Sequence, residues 1–160
     1  MGVAGCGKST VGAAIAAAEG LPLVEGDHFH SQASRDKMAR GVPLDDADRA
    51  QWLVVLGEQL KAHPDGVVLT CSALKRAYRD KLRQAAPDLR FVFLEITREA
   101  AQQRVSTRGV HFFSASLVDS QFATLEPPLG EPGVLAVDAL TPIDVLQAQV
   151  STWLQDKDPS

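Results

Sequence analysis

The chain contains no asparagine. A guanine-reading GTPase carries an Asn-Lys-x-Asp motif, so that class is excluded at the outset. It has only two cysteines, Cys6 and Cys71, too few for a disulfide framework, and they read as small buried residues in a reducing compartment. Uncharged apolar stretches fall well short of the roughly 20 residues that a bilayer span requires. No basic segment followed by an apolar run stands at the start, so the reading is a soluble, cytoplasmic protein. Repeats, low-complexity tracts and Gly/Ser linkers are also missing, which leaves residues 1–160 as one domain. Basic residues are outnumbered: 16 Lys and Arg face 20 Asp and Glu, a net charge of -4. That balance speaks against a nucleic-acid binder, which carries a basic face.

Apolar residues are plentiful, at 45% of the chain, and they recur with alternating strand and helix periods. Val11, Ala14, Ile15 and Ala18 predict a helix from Lys8 to about Ala18, closed by Gly20 and Pro22. Leu21–Glu25 and Gly66–Cys71 are short apolar runs between turn signals and read as buried strands. Between them Asp45, Asp46 and Asp48 favour a helix N-terminus ahead of Trp52, Leu53, Leu56 and Leu60, ending near His63. Leu74, Tyr78, Leu82 and Ala85 form the stripe of a further helix that Pro87 stops. Phe91–Ile96 reads as a strand, and Thr97 caps a helix to about Arg108. Residues 109–128 show no clean period and are expected to be a mobile cover, or lid. Val134–Val137 and Pro142–Leu154 predict a last strand and a last helix. Strands alternating with helices imply a parallel sheet covered on both faces, an α/β fold.

The most specific motif opens the chain. Gly2-Val3-Ala4-Gly5-Cys6-Gly7-Lys8-Ser9 matches G-x-x-x-x-G-K-S/T and runs straight into the first helix. Such a loop turns successive backbone N–H groups inward around phosphate oxygens, and the helix N-terminus adds partial positive charge. Lys8 is expected on the β- and γ-phosphates, and Ser9 on a bridging Mg²⁺ ion. ATP-binding is therefore assigned to Gly2 through Thr10. A chain this size has no room for a motor or transporter ATPase, which leaves small phosphotransferases. Asp27, at the end of the expected strand Leu21–Glu25, is the candidate to orient the acceptor hydroxyl and take its proton.

Several further blocks carry a family resemblance over most of the chain. Gly26-Asp27-His28-Phe29-His30, Lys37-Met38, Pro43–Leu53, Cys71–Asp80, His111-Phe112-Phe113, Gln121-Phe122 and Leu125-Glu126 resemble the gluconokinase family, a branch of the P-loop kinases. The resemblance implies a P-loop NTPase fold of three layers, similar to shikimate and nucleoside-monophosphate kinases, with Mg-ATP as donor and D-gluconate as acceptor. A homodimer is left open. It places Asp27 and His30 toward the sugar acid, with Lys37, Lys75 and Arg79 for its carboxylate and hydroxyls. That use suits the basic run Lys75, Arg76, Arg79, Lys81 and Arg83, since Arg forms forked bonds to carboxylates. Arg104 and Arg108, four residues apart on one expected helix face, are assigned to the nucleotide, Arg108 with a catalytic part as well. The chain departs from the commoner family pattern at Ser31, Ser34 and Gln51. Two rivals remain: a kinase for another small hydroxy acid such as shikimate, and an ATP-binding protein without phosphotransfer.

One absence remains. A phosphate loop hangs between a buried strand and a helix, yet Gly2 is already the loop's first glycine. The expectation is that the natural protein starts upstream, with an apolar, β-branched run of about five or six residues ahead of Met1.

Overall fold

The computed structural model describes residues 1–107 and 115–156. In chain order these are α1 (Lys8–Glu19), β1 (Leu23–Glu25), a single 3-10 turn (Gly26–Phe29), α2 (Gln32–Ala39), α3 (Asp46–Lys61), β2 (Val68–Thr70), α4 (Arg76–Ala85), β3 (Phe91–Glu95), α5 (Arg98–Thr107), α6 (Ala115–Thr124), β4 (Val134–Asp138) and α7 (Ile143–Gln155). Each expected strand and long helix is present within one or two residues of its sequence bounds. The α/β alternation holds, with parallel pairing throughout the described residues.

Local chemistry accounts for the boundaries. Gly7 and Gly20, both in the left-handed region, bracket α1. Asp45 and Asp48 form a reciprocal capping box at the head of α3. Ser31 accepts from the Ser34 amide and so caps α2, a short helix that the apolar pattern did not reveal because only Ser34 in it is buried. Ser31 and Ser34, two of the positions that depart from the family pattern, are thus partners in one cap.

The parallel strands form two pairs. β1 lies on β2, with Leu23 opposite Val68 and Glu25 opposite Thr70; β3 lies on β4, with Phe91 opposite Val134 and Glu95 opposite Asp138. No ladder joins β2 to β3. Helices cover both faces. On one, α1 packs against α7, and Val11, Ile15, Leu94, Ala101, Val118, Leu146 and Val150 form a core. On the other, α3 packs against α4 over Trp52, Leu56, Leu60, Tyr78, Leu82 and Phe91. Cys6 and Cys71 are free and buried, as expected, and burial pushes the Cys71 thiol up to about 12.

Residues 115–124, expected as part of an irregular mobile cover, are instead helix α6. It packs on α5 with Leu117 and Val118 buried, and two buried positions in one helix were too few for a visible period. The rest of the expected lid divides between Leu125–Pro128, which follows α6, and 109–114, which lies outside the described residues. Arg108, His111, Phe112 and Phe113 fall outside them too.

Candidate active site

A cleft of about 310 Å³ opens where α1 begins and β1 ends. Its one end is the phosphate loop. Gly5 is obligatory there: its φ is +83°, and a Cβ would stand 2.8 Å from the Ala101 carbonyl oxygen. Lys8 folds back along the loop, its Nζ donating to the carbonyls of Gly2 at 3.0 Å and Val3 at 3.1 Å. The Ala4 amide donates to Gln121 Oε1 of α6 at 2.7 Å. Ser9 Oγ donates to Glu25 Oε2 at 3.0 Å, and the same oxygen accepts from Thr70 Oγ1 at 2.6 Å. Hard oxygen donors from Ser9 and Glu25 therefore meet beside the loop, a donor set that suits Mg²⁺. Among the described residues no cluster of three or more His, Cys, Asp or Glu forms a metal site by itself.

Arg104 sits under the loop. Its Nη1 donates to the carbonyls of Gly5 and Cys6, each at 3.3 Å, and its Nη2 to Ala139 at 3.2 Å. These bonds tie the guanidinium to loop backbone, with Val105 lining the cleft next to it.

The other end of the cleft is built on the turn after β1. Gly26 is required because a Cβ would fall 2.2 Å from the Thr70 carbonyl oxygen; its own carbonyl accepts from Trp52 Nε1 at 2.8 Å. This close approach holds Asp27, His28 and His30 on the cleft wall. His30 stacks on Trp52, ring centroids 4.4 Å apart, with Nε2 3.6 Å from Asp27 Oδ1. Its Nδ1 is buried and has no hydrogen-bond partner among the described residues. Partial burial works against ionisation of Asp27, but the neighbouring His30 ring and the charges of Lys8, His30 and His28 outweigh it. Its carboxyl therefore lies below the usual range.

Of the five residues expected at the acceptor, Asp27 and His30 line the cleft, and three do not. Lys37 pairs with Asp48 at 2.7 Å and with Asp45 at 3.7 Å. Lys75 pairs with Asp46 at 3.0 Å. Arg79 is 0% exposed, with Nε 3.0 Å and Nη2 2.5 Å from the two oxygens of Glu131; it also donates to the carbonyls of Ala73 and Glu126. These bonds engage four of its five N–H groups, so the expectation that Arg79 takes the acceptor's carboxylate is corrected. It staples the turn after β2, where Ala73 has a φ of +48°, to the segment after α6. The physical reason is that a basic run read along the sequence does not disclose acids folded onto it from residues 46 and 131.

At the acceptor end of the cleft the positive charge comes from residues that the sequence reading did not assign to the site. Arg35 donates to the backbone carbonyls of His28 at 2.9 Å and His30 at 3.3 Å. Arg49, on the first turns of α3, is 9% exposed and lines the cleft with Met38, Leu44 and Trp52. It contacts Tyr78, whose ring centre is 5.8 Å away, and among the described residues no carboxylate forms an ion pair with it. Position alone gave no distinguishing signal: Arg49 lies near a helix N-terminus, where a cation opposes the macrodipole, but so does Lys75 at the head of α4.

Comparison with known proteins agrees with this geometry. A family model described as an AAA domain matches residues 1–128. A gluconokinase of Gluconobacter oxydans (strain 621H) is 42% identical over 99% of this chain and 90% of its own length. The crystal structure of a gluconokinase from Sinorhizobium meliloti 1021 superposes with a TM-score of 0.86 at 44% identity, covering 97% of this chain and 93% of that one. An APS kinase from Mycobacterium tuberculosis, 18% identical with a TM-score of 0.69 over 98% of this chain and 95% of that one, shares the fold. With a phosphate loop at one end of its cleft and these relatives across nearly its whole length, the chain belongs to the gluconokinase family.

Proposed function

We propose that this protein transfers the γ-phosphoryl group of ATP to D-gluconate, forming 6-phosphogluconate. The observation that carries the reading is the single cleft that joins Lys8 and Ser9 at one end to Asp27, His30 and Arg49 at the other. Phosphoryl transfer requires little covalent chemistry from a protein; alignment and charge neutralisation do most of the work.

The amides of Gly2 to Thr10 and the start of α1 cradle the nucleotide's phosphates. Lys8 leaves the carbonyls of Gly2 and Val3 and turns to the β- and γ-phosphates, exchanging neutral acceptors for charged ones. Arg104 keeps the loop in shape from below, and Arg108 is proposed on the nucleotide side. Ser9, with Glu25 beside it, would hold Mg²⁺, which would supply positive charge to offset that of the phosphates. Asp27, ionised because its carboxyl is held low, orients the acceptor hydroxyl and accepts its proton as the oxygen attacks phosphorus. His30, stacked on Trp52, offers a second polar contact to the sugar hydroxyls. Arg49 takes the gluconate carboxylate: a nearly buried guanidinium with no ion-pair partner among the described residues is costly until an anion arrives.

A coupled ADP-release assay tests the reading, with D-gluconate and shikimate as parallel acceptors. Turnover with gluconate well above that with shikimate is the expected result. Preference for shikimate would reassign the acceptor, and ATP binding without ADP release on any acid of a sugar-acid panel would remove the kinase reading.

A further inference from the structure

Leu117, Ser120 and Gln121 bring one face of α6 onto the cleft wall. Gln121 bonds to the phosphate loop: its Oε1 accepts from the Ala4 amide at 2.7 Å, across 117 residues of sequence. A backbone N–H can only donate, so this bond fixes which end of the carboxamide faces Ala4. The oxygen is engaged. The Nε2 group, with its two donor hydrogens, meets no acceptor among the described residues. A residue of the cleft wall thus carries unused donors beside the loop.

The helix that carries Gln121 is held on two sides. Asp119 accepts from Gln102 of α5 at 2.7 Å and lies 3.7 Å from Arg98 Nε, and the Arg98 guanidinium is 5.6 Å from the Phe122 ring centre. Just past the helix, the Glu126 amide donates to the Leu74 carbonyl at 2.7 Å, and Glu126 Oε1 accepts from the Arg76 amide at 2.8 Å. α6 is therefore tied to α5, which carries Arg104 under the loop, and through residue 126 to the head of α4. A side chain on such a mount keeps its place when a ligand arrives, the condition for preorganised stabilisation.

The cleft decides what the free donors meet. It joins Lys8 and Ser9 to Asp27 and His30, so the phosphate of a bound nucleotide that lies within it is the terminal one, next to the acceptor. The oxygens of that group carry the charge that transfer redistributes, and N–H groups aimed at them stabilise it. We propose that Gln121 is a further catalytic residue: its Nε2 donates to an oxygen of the transferring phosphoryl group while its Oε1 holds the loop at Ala4. The Ala4 amide then reaches the phosphates through the polarised carboxamide and not directly. Gln121 forms no covalent bond and moves no proton. This role rests on the ATP-dependent transfer proposed above.

Gln121→Glu separates the two ends of the side chain. It keeps an oxygen for Ala4 in nearly the same volume, but puts a negative acceptor where the donor stood. Gln121→Leu removes both. Melting, steady-state kinetics with gluconate, and calorimetric titration with ADP and with a non-hydrolysable ATP analogue compare each variant with the wild type. The Glu variant should melt like the wild type yet lose roughly ten- to hundredfold in kcat, the scale of one hydrogen bond to a charged group. It should bind the ATP analogue roughly tenfold or more weakly while its ADP affinity changes little. The Leu variant should melt lower and show a similar loss of kcat. Wild-type kcat in the Glu variant would overturn the proposal and leave Gln121 as a tie on the loop. Equal losses for ADP and the analogue would do the same, by placing the contact away from the transferred group. So would tighter analogue binding by the Leu variant, which would make Gln121 a plug that the nucleotide must displace. The titrations need no acceptor, so a wild type that turned over no gluconate would fail the acceptor reading alone.

Discussion

Arg79 and Glu131 meet inside the protein, 52 residues apart in sequence, with the guanidinium Nη2 2.5 Å from the carboxylate and both side chains at most 5% exposed. The bond from Arg79, with a further one from Arg83, holds the Glu131 carboxyl below its ordinary range despite the opposing effect of desolvation. Removing one member leaves the other as a buried, uncompensated charge. Arg79→Ala should therefore cost about 3 to 5 kcal/mol of stability, read as a shifted urea midpoint. Whatever fraction stays folded should keep its apparent KM for gluconate. An unchanged midpoint with a raised KM would return Arg79 to the acceptor site.

Arg49 should behave in the opposite way. Arg49→Met preserves most of the apolar stem while removing a nearly buried cation that lacks an ion-pair partner among the described residues. The ligand-free melting temperature should hold or rise, and the KM for gluconate should increase by roughly tenfold or more with ATP affinity unchanged. Titration calorimetry with an ATP analogue and with gluconate separates the two affinities. A large loss of stability with normal gluconate binding would show that Arg49 is only a packing residue.

Asp27 and Lys8 serve the transfer step. Asp27→Asn keeps the shape and the His30 neighbour but loses the proton acceptor, so turnover should fall far more than ATP affinity. Lys8→Met should lower turnover by roughly 10²-fold or more, the scale seen when one preorganised electrostatic group is lost. Steady-state kinetics measure both. Near-normal turnover of Asp27→Asn would refute its role as base.

Local signals in the sequence were sufficient for the elements and for the nucleotide end of the cleft. Gly5, Gly7, Lys8 and Ser9 act within one turn of chain, the capping box spans Asp45 to Asp48, and apolar periods of two and 3.6 mark each face that a core must cover. Short-range geometry of this kind depends on neighbours a few residues away, so it is written in their order. The acceptor end was decided only by tertiary structure. Lys37, Lys75, Arg79 and Arg49 are all cations on helices or at their ends, and nothing local distinguishes them. Folding brings Asp48, Asp46 and Glu131 to the first three and leaves Arg49 on the cleft wall without an ion pair among the described residues. Which charge remains available for a ligand depends on which acids arrive from distant elements, and that is a property of packing, not of pattern.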